Sequence, residues 1–158
     1  MPGLTDSKKL SDKKRRELFP LIREQALAWG VGFASEAEID EINILQATFL
    51  AIDGLSIKPD MALIDGNRDH GSRFAVTAPH ITIVGGDGKS ASIAAASILA
   101  KVSRDRYVST ELEALYPQYQ FAKHKGYGTK LHYQMLDQYG PCPAHRVTFL
   151  KKWEARRP

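Results

Sequence analysis

Two short runs of apolar residues, each stopped by glycine and aspartate, organise the chain. Ile81 to Val84 (ITIV) are broken by Gly85 and Gly86 with Asp87 following, and Met61 to Ile64 end on Asp65 and Gly66. Short unbroken apolar runs bounded by turn residues predict buried strands, so both aspartates fall where the chain leaves a sheet. From about Ser90, the residues Ile93, Ala94, Ala95, Ala96, Ile98, Leu99, Ala100 and Val102 are apolar nearly all the way round. That pattern predicts a helix buried on most sides and packed closely through its alanines, ending before Pro117. Upstream, Ser11 reads as the N-cap of a helix from Asp12 to about Ala28, with Leu18, Ile22, Ala26 and Trp29 as its inward stripe. Pro20 lies inside that stripe and predicts a bend or a split. Trp29 to Ala34 (WGVGFA) read as a strand weakened by two glycines. Ser35 and Glu38 then form a capping box, opening a second helix whose Ile39, Ile42, Leu45, Phe49 and Ile52 make an apolar face ending near Gly54. Asn67 to Ser72 read as a loop. Phe121 to Thr129 (FAKHKGYGT) read as an exposed loop, and Thr129 caps a short helix that runs to about Tyr139 and stops at Gly140.

Strands alternating with helices in 158 residues of ordinary globular composition predict one α/β domain with a core of its own. No apolar run approaches the ~20 residues of a membrane span. No charged start followed by an apolar segment suggests a secretory signal, so a cytoplasmic location is expected. Cys142 is the one cysteine, which excludes an internal disulfide. The formal net charge of +4 is unevenly spread: residues 1–100 carry 11 Lys+Arg against 13 Asp+Glu, and residues 101–158 carry 11 against 5. A basic C-terminal half beside an acidic remainder suits a protein that draws a polyanion to one side and cations to another.

The candidate chemistry begins with Asp65 and Asp87. Open α/β sheets hold ligands at the carboxyl ends of their strands. If the two strands run side by side in one direction, both carboxylates project from one edge, the minimum for gripping a divalent cation through oxygen. Without a cation, two close carboxylates repel, and one takes up a proton. The plainer reading is that each aspartate caps a turn, Asp-Gly being a common turn pair. Asp105 lies 18 residues beyond Asp87, roughly 27 Å along a straight helix. It cannot share a metal site with Asp87, and beside Lys101, Arg104 and Arg106 it is expected to be an ion-pair partner. In HKGYGT, Lys123 and Lys125 can neutralise phosphates and Tyr127 offers a flat ring for a sugar or base; a solvated loop is the alternative. DSKKL at Asp6 to Leu10 places hydroxyl and ammonium donors ahead of a helix, where a phosphate or only water could sit. Asn43, near the apolar face of its helix, needs a core hydrogen bond or a backbone phosphate as partner. His124, His132 and His145 share no helix face at ligand spacing, so zinc is not expected. No Ser/His/Asp pattern, P-loop or dinucleotide fingerprint is present.

Taken together, DSKKLS at 6–11, IDEINIL at 39–45, LIDGN at 63–67, the block from Gly86-Asp87 to Asp105, HKGYGT at 124–129 with His132, and AHRVTF at 144–149 resemble ribonuclease HII of the bacterial type. The motifs occur in order over nearly the whole chain. The resemblance implies a ribonuclease H-like α/β fold, a mixed sheet flanked by helices. It implies cleavage of the phosphodiester 5′ to a ribonucleotide in RNA/DNA hybrid or duplex DNA, Mn²⁺ or Mg²⁺ as cofactor, and a role in ribonucleotide excision during DNA replication and repair. Those nucleic acids are the expected partners, with no membrane and no obligate protein partner. Carried onto this sequence, Asp65 and Asp87 are the third and fourth metal-binding carboxylates of the family and hence its catalytic residues here. Tyr127 packs against the sugar at the junction. Ser7, Lys8, Asn43 and Lys125 contact substrate, and Asp105, His132 and Arg146 support the site.

One departure is large. The family pattern opens with a strand bearing Asp-Glu-x-Gly-Arg-Gly, followed by a second strand, and this sequence has neither. Its Asp40-Glu41 pair sits in a helical pattern with no Gly-Arg-Gly after it. The expectation is therefore a single ribonuclease H-like domain over 1–158, N-terminally incomplete, with a C-terminal helical and basic segment from about 117. It would hold two of four carboxylates, turn over little by two-metal chemistry, and leave apolar sheet surface uncovered. A non-catalytic nucleic-acid-binding domain and an inactive fragment stand beside it as alternatives.

Overall fold

The Ser11 hydroxyl accepts the Lys14 backbone N–H at 3.2 Å and opens α1 (Asp12–Gln25). Asp12 in the first turn and Arg23 in the last complement the helix dipole. Pro20 neither ends nor divides α1, because a proline deprives the helix of one N–H and the other bonds hold it. The computed structural model describes residues 3–56 and 59–155; Met1 and the basic end of the tail at Arg156 and Arg157 lie outside the described residues. The chain divides into two compact units, Met1–Ala34 with Leu45–Ser103, and Ser35–Ile44 with Arg104–Pro158.

In the first unit, Leu18 and Ile22 of α1 are buried against Ile98 and Leu99 of α3 (Ala91–Tyr107). Leu4, Leu10, Phe19 and Val102 close the cluster. Each such aliphatic side chain stabilises the fold by about 1.5–3 kcal/mol on burial. The segment Trp29 to Ala34 is not the strand its composition predicts, since it pairs with no strand among the described residues. Instead the Arg23 guanidinium lies 4.2 Å over the Trp29 ring, and Gly32 meets the Ala51 carbonyl so closely that a Cβ has no room.

The capping box forms as expected: Ser35 donates its N–H and O–H to Glu38 at 2.7 and 2.8 Å and accepts the Glu38 N–H at 3.2 Å. It opens α2 (Glu36–Asp53), whose backbone leaves helical geometry at Asn43. The part of α2 in the first unit buries Ala47 and Phe49, and the side-chain Oε1 of buried Gln46 accepts the N–H groups of Arg73 and Phe74.

Strands β1 (Ala62–Asp65) and β2 (His80–Ile83) pair in parallel, Ala62 opposite His80 and Asp65 opposite Ile83. Both lie within a residue of their predicted positions. α3 departs from the expectation of burial all round. Ile93, Ala94, Ile98 and Leu99 are buried, whereas Ser92, Ala96 and Ala100, one turn apart, are exposed and line a cavity of 1160 Å³ that also touches Phe49, Ile64 and Val76. A two-stranded sheet covers one face of such a helix, and alanine tolerates the uncovered one.

In the second unit, the helix beyond Arg104 widens into a π-helical turn, Val108–Leu112, and ends as α4 (Glu113–Leu115) ahead of Pro117. The Ser109 and Thr110 hydroxyls donate to the carbonyls of Asp105 and Arg106 four residues back, a bonding that loosens a helix. Val108, Leu112, Tyr119 and Phe121 form one core cluster, and Leu136, Leu150 and Trp153 another. The stretch predicted as an exposed loop carries the one-turn α5 (Phe121–His124), with Phe121 and His124 buried, because aromatic area is worth more inside than in water. Thr129 accepts the His132 N–H at 3.2 Å and caps α6 (Lys130–Tyr139), which ends at Gly140. α7 (Lys151–Glu154) closes the described chain. No helix among the described residues is long and apolar enough to cross a membrane.

Candidate active site

Asp65 is the last residue of β1, and its Oδ1 accepts the Gly86 N–H at 2.8 Å. Gly85, at φ 64°, takes the left-handed conformation that turns the end of β2 into the short 3₁₀ turn Gly86–Gly88, which carries Asp87. At Gly86 a Cβ would press into Ile93 and approach Asp65 Oδ1 to 3.3 Å, so glycine is what lets the turn close on the carboxylate. Parallel pairing brings the two strand ends, and with them Asp65 and Asp87, to one edge of the sheet. Asp65 is exposed and Asp87 half-buried. Among the described residues no group of three or more His, Cys, Asp or Glu is placed to hold a metal. The edge thus offers two hard oxygen donors, one of them oriented by a backbone N–H. That fits Mg²⁺ or Mn²⁺, which take one or two carboxylates and leave the rest of their coordination to water and substrate phosphate.

Tyr127 lies in the second unit and is 58% exposed. Its backbone is held at both ends: the N–H donates to the His124 carbonyl at 2.9 Å, and the carbonyl accepts the Thr129 N–H at 2.7 Å and is met by His132 Nδ1 at 3.0 Å. Lys125 and Gly126 precede it with φ of 53° and 79°, a pair of left-handed residues that reverses the chain. Lys125 donates its ammonium to Ser109 Oγ at 2.7 Å, and Lys123 to Gln120 Oε1 at 2.6 Å. Both acceptors are neutral, so neither bond sets a counter-charge against its lysine.

Lys8 is exposed and Ser7 is buried, in a turn where Lys8 N–H donates to Asp6 Oδ1 at 2.8 Å and Arg15 donates to the Ser7 and Leu10 carbonyls. Asn43 is exposed and takes φ 67°, ψ 164° where α2 breaks. Asp105 is buried. The Arg146 guanidinium stacks 3.9 Å over the Phe149 ring. Asp40 accepts the N–H groups of Val147 and Thr148 and the Thr148 hydroxyl, so this carboxylate caps the 3₁₀ turn Val147–Phe149.

One feature escapes sequence reasoning. His124, His132 and His145, all buried, stack with ring centroids 4.3 Å apart for the first pair and 5.2 Å for the second. His132 Nε2 and His145 Nε2 are 3.0 Å apart. Burial pushes both imidazoles down from their ordinary range, that of His145 to about 4, with the neighbouring histidines adding to the effect. His124 and His132 come from α5 and α6 and His145 from the turn after Pro143, so no helical spacing announces the cluster. The signal present in the sequence is three histidines in one short basic stretch.

Parallel strands with one carboxylate at the end of β1 and another in the turn after β2, flanked by helices, make this an α/β protein, consistent with a ribonuclease H-like fold. The model of the Ribonuclease HII family matches residues 1–153. Ribonuclease HII of Endomicrobium trichonymphae is 56% identical over 154 residues, covering 94% of this chain and 71% of that protein. Ribonuclease HII of Caldicellulosiruptor bescii is 52% identical over 153 residues, covering 94% and 72%. The crystal structure of the ribonuclease H2 from Pyrococcus horikoshii OT3 is similar with a TM-score of 0.68 and 29% identity, over 98% of this chain and 81% of that one. The chain belongs to the ribonuclease HII family, whose members are hydrolytic endoribonucleases.

Proposed function

We propose that this chain binds RNA/DNA hybrid and ribonucleotide-containing duplex DNA in the cytoplasm, and that its strand-end carboxylates take part in cutting the phosphodiester 5′ to the ribonucleotide. The reading rests on the parallel register of β1 and β2, with Asp65 steadied by the Gly86 N–H. Asp65 and Asp87 would hold Mn²⁺ or Mg²⁺, which when bound supplies charge stabilisation at the oxygens of the scissile phosphate. Tyr127 packs its ring on the sugar at the junction, Ser7, Lys8 and Asn43 contact the substrate backbone, and Lys125 is a further substrate contact. Lysine charges of this kind attract the duplex without reading its sequence. Asp105, His132 and Arg146 keep the second unit's part in shape. Two-metal hydrolysis uses three or four carboxylates, and this edge supplies two, so the 158-residue chain by itself binds substrate well and turns it over weakly.

Titrating Mn²⁺ into the purified chain with a duplex carrying one ribonucleotide tests both parts. Affinity read by fluorescence anisotropy should rise with Mn²⁺, and the rise should vanish in Asp65→Asn and in Asp87→Asn. Nicking should be slow. Fast turnover would remove the proposed impairment, and metal-independent binding unaffected by either substitution would remove the carboxylate site.

A further inference from the structure

Three buried imidazoles in mutual contact must share out their protons, and the surrounding partners decide how. The Tyr127 carbonyl can only accept, so His132 Nδ1, 3.0 Å away, carries a hydrogen, and the neutral ring leaves Nε2 as an acceptor. His145 Nε2, 3.0 Å from that acceptor, must then be the donor. Its Nδ1 becomes an acceptor in turn, which suits the Cys142 N–H at 3.0 Å and the Cys142 thiol at 3.1 Å. The reverse ordering would have His145 Nδ1–H donate to the Cys142 carbonyl at 3.3 Å. It sets a lone pair of His132 against the Tyr127 carbonyl and an imidazole N–H against the Cys142 N–H. At 3.3 Å that contact is also longer than the 3.0 Å between His132 Nδ1 and the Tyr127 carbonyl. One direction alone satisfies every atom. Cys142 donates to His145, His145 to His132, and His132 to the carbonyl of Tyr127. His124, stacked on His132, is fixed independently: its Nε2–H donates to the Tyr119 carbonyl at 2.8 Å, and its Nδ1 accepts the Gly126 N–H at 3.1 Å.

We propose that His132 and His145 are positioning residues for Tyr127, the His145–His132 hydrogen-bond chain fixing the backbone from which the tyrosine ring meets the substrate sugar. The inference deepens the reading of Tyr127 as the sugar-contacting residue and rests on it. Its physical content is that a platform whose backbone is held in place loses less entropy when a sugar stacks on it. His132 supplies the hold, and His145, by donating to its Nε2, adds to the bias that the Tyr127 carbonyl gives toward the Nδ1–H tautomer, a division of labour that histidine's two distinct nitrogens allow.

The test uses the full chain. With ¹⁵N-labelled histidine near neutral pH, His132 is expected as the Nδ1–H tautomer and His145 as Nε2–H. In His145→Leu, His132 should shift toward Nε2–H, which a residue that merely fills space would not cause. His132→Leu should weaken anisotropy-measured binding of the ribonucleotide duplex about tenfold, a loss of the size that removing an aromatic platform produces. The double variant with Tyr127→Ala should bind no worse than Tyr127→Ala alone. His132→Asn, whose side-chain N–H stands where Nδ1–H stood, should recover most of the affinity. The opposite tautomers, additive losses, or no recovery in His132→Asn would each overturn the proposal. Should Tyr127→Ala leave binding unchanged, the sugar reading falls while positioning is still decided by the tautomers and by amide exchange at Thr129, expected to quicken in His132→Leu. If His132→Leu does not fold, His132→Asn and His145→Leu carry the test.

Discussion

At the scale of single residues, the histidine cluster ties stability to pH. The folded His145 imidazole is held down to about 4 from an ordinary 6.5, first by burial and then by its neighbours His132 and His124, against a smaller upward pull from the Cys142 backbone. Between those values the unfolded chain binds the proton that the folded chain refuses. Stability is therefore fully present above pH 6.5 and declines as pH falls toward 4. The depression corresponds to a contribution on the order of 3 kcal/mol, one pKa unit being about 1.4 kcal/mol. Urea unfolding at pH 7, 5.5 and 4 should show the decline, and His145→Gln should flatten it; an equal slope in the variant would place the acid sensitivity elsewhere. Asn43 makes a second case. A φ of 67° with ψ of 164° is a region that glycine enters freely and other residues enter at a cost of ~1–3 kcal/mol. Asn43→Gly should thus stabilise the chain by about 1 kcal/mol. If the asparagine side chain meets the nucleic-acid backbone, the same change should weaken binding, so that denaturant midpoint and affinity move in opposite directions.

At the scale of elements, α1 and α3 hold the first unit together through few residues, and Ile98, with no exposed surface, lies at their contact. Ile98→Ala should cost about 2–5 kcal/mol, measured as a fall in the urea midpoint at unchanged slope. Thr129→Ala at the start of α6 should cost ~1 kcal/mol. Signals of this local kind are what the sequence makes legible. Ser11, Ser35 with Glu38, Thr129 and Gly140 mark their helix ends because a cap is a bond within three or four residues. Asp65 and Asp87 were readable as strand-end residues because an apolar run stopped by glycine needs no distant partner to be recognised. What failed needed a partner. WGVGFA has strand composition, yet a strand exists only when another edge receives it, and this segment finds a guanidinium and a helix carbonyl instead. Alanine misleads on α3 for a related reason: Ala94 is buried and Ala96 open, and the residue suits either place. The histidine chain was invisible because three separate segments build it.

At the scale of the molecule, the two-stranded sheet is the weak point. Isolated two-stranded sheets are marginal in water, and a strand edge invites further pairing. Met61, Leu63, Ile81 and Val84 are 52, 39, 52 and 63% exposed, with Leu63 directly opposite Ile81 in the register. These side chains sit on and beside strands that have no further strand partner among the described residues, next to an apolar-lined cavity. The hydrophobic effect then favours burying that surface in association. Sedimentation velocity on the purified chain should show mass rising with concentration. Ile81→Lys should shift the population toward monomer, since a lysine there sets a charge in the middle of the patch. Salt separates this cause from its rival. Association through the basic residues of the C-terminal half would weaken at 0.5 M salt, where charges are screened within a few ångströms. Association through the sheet would persist or strengthen, and a monomer at every concentration in low and high salt would mean that the exposed strands are already protected.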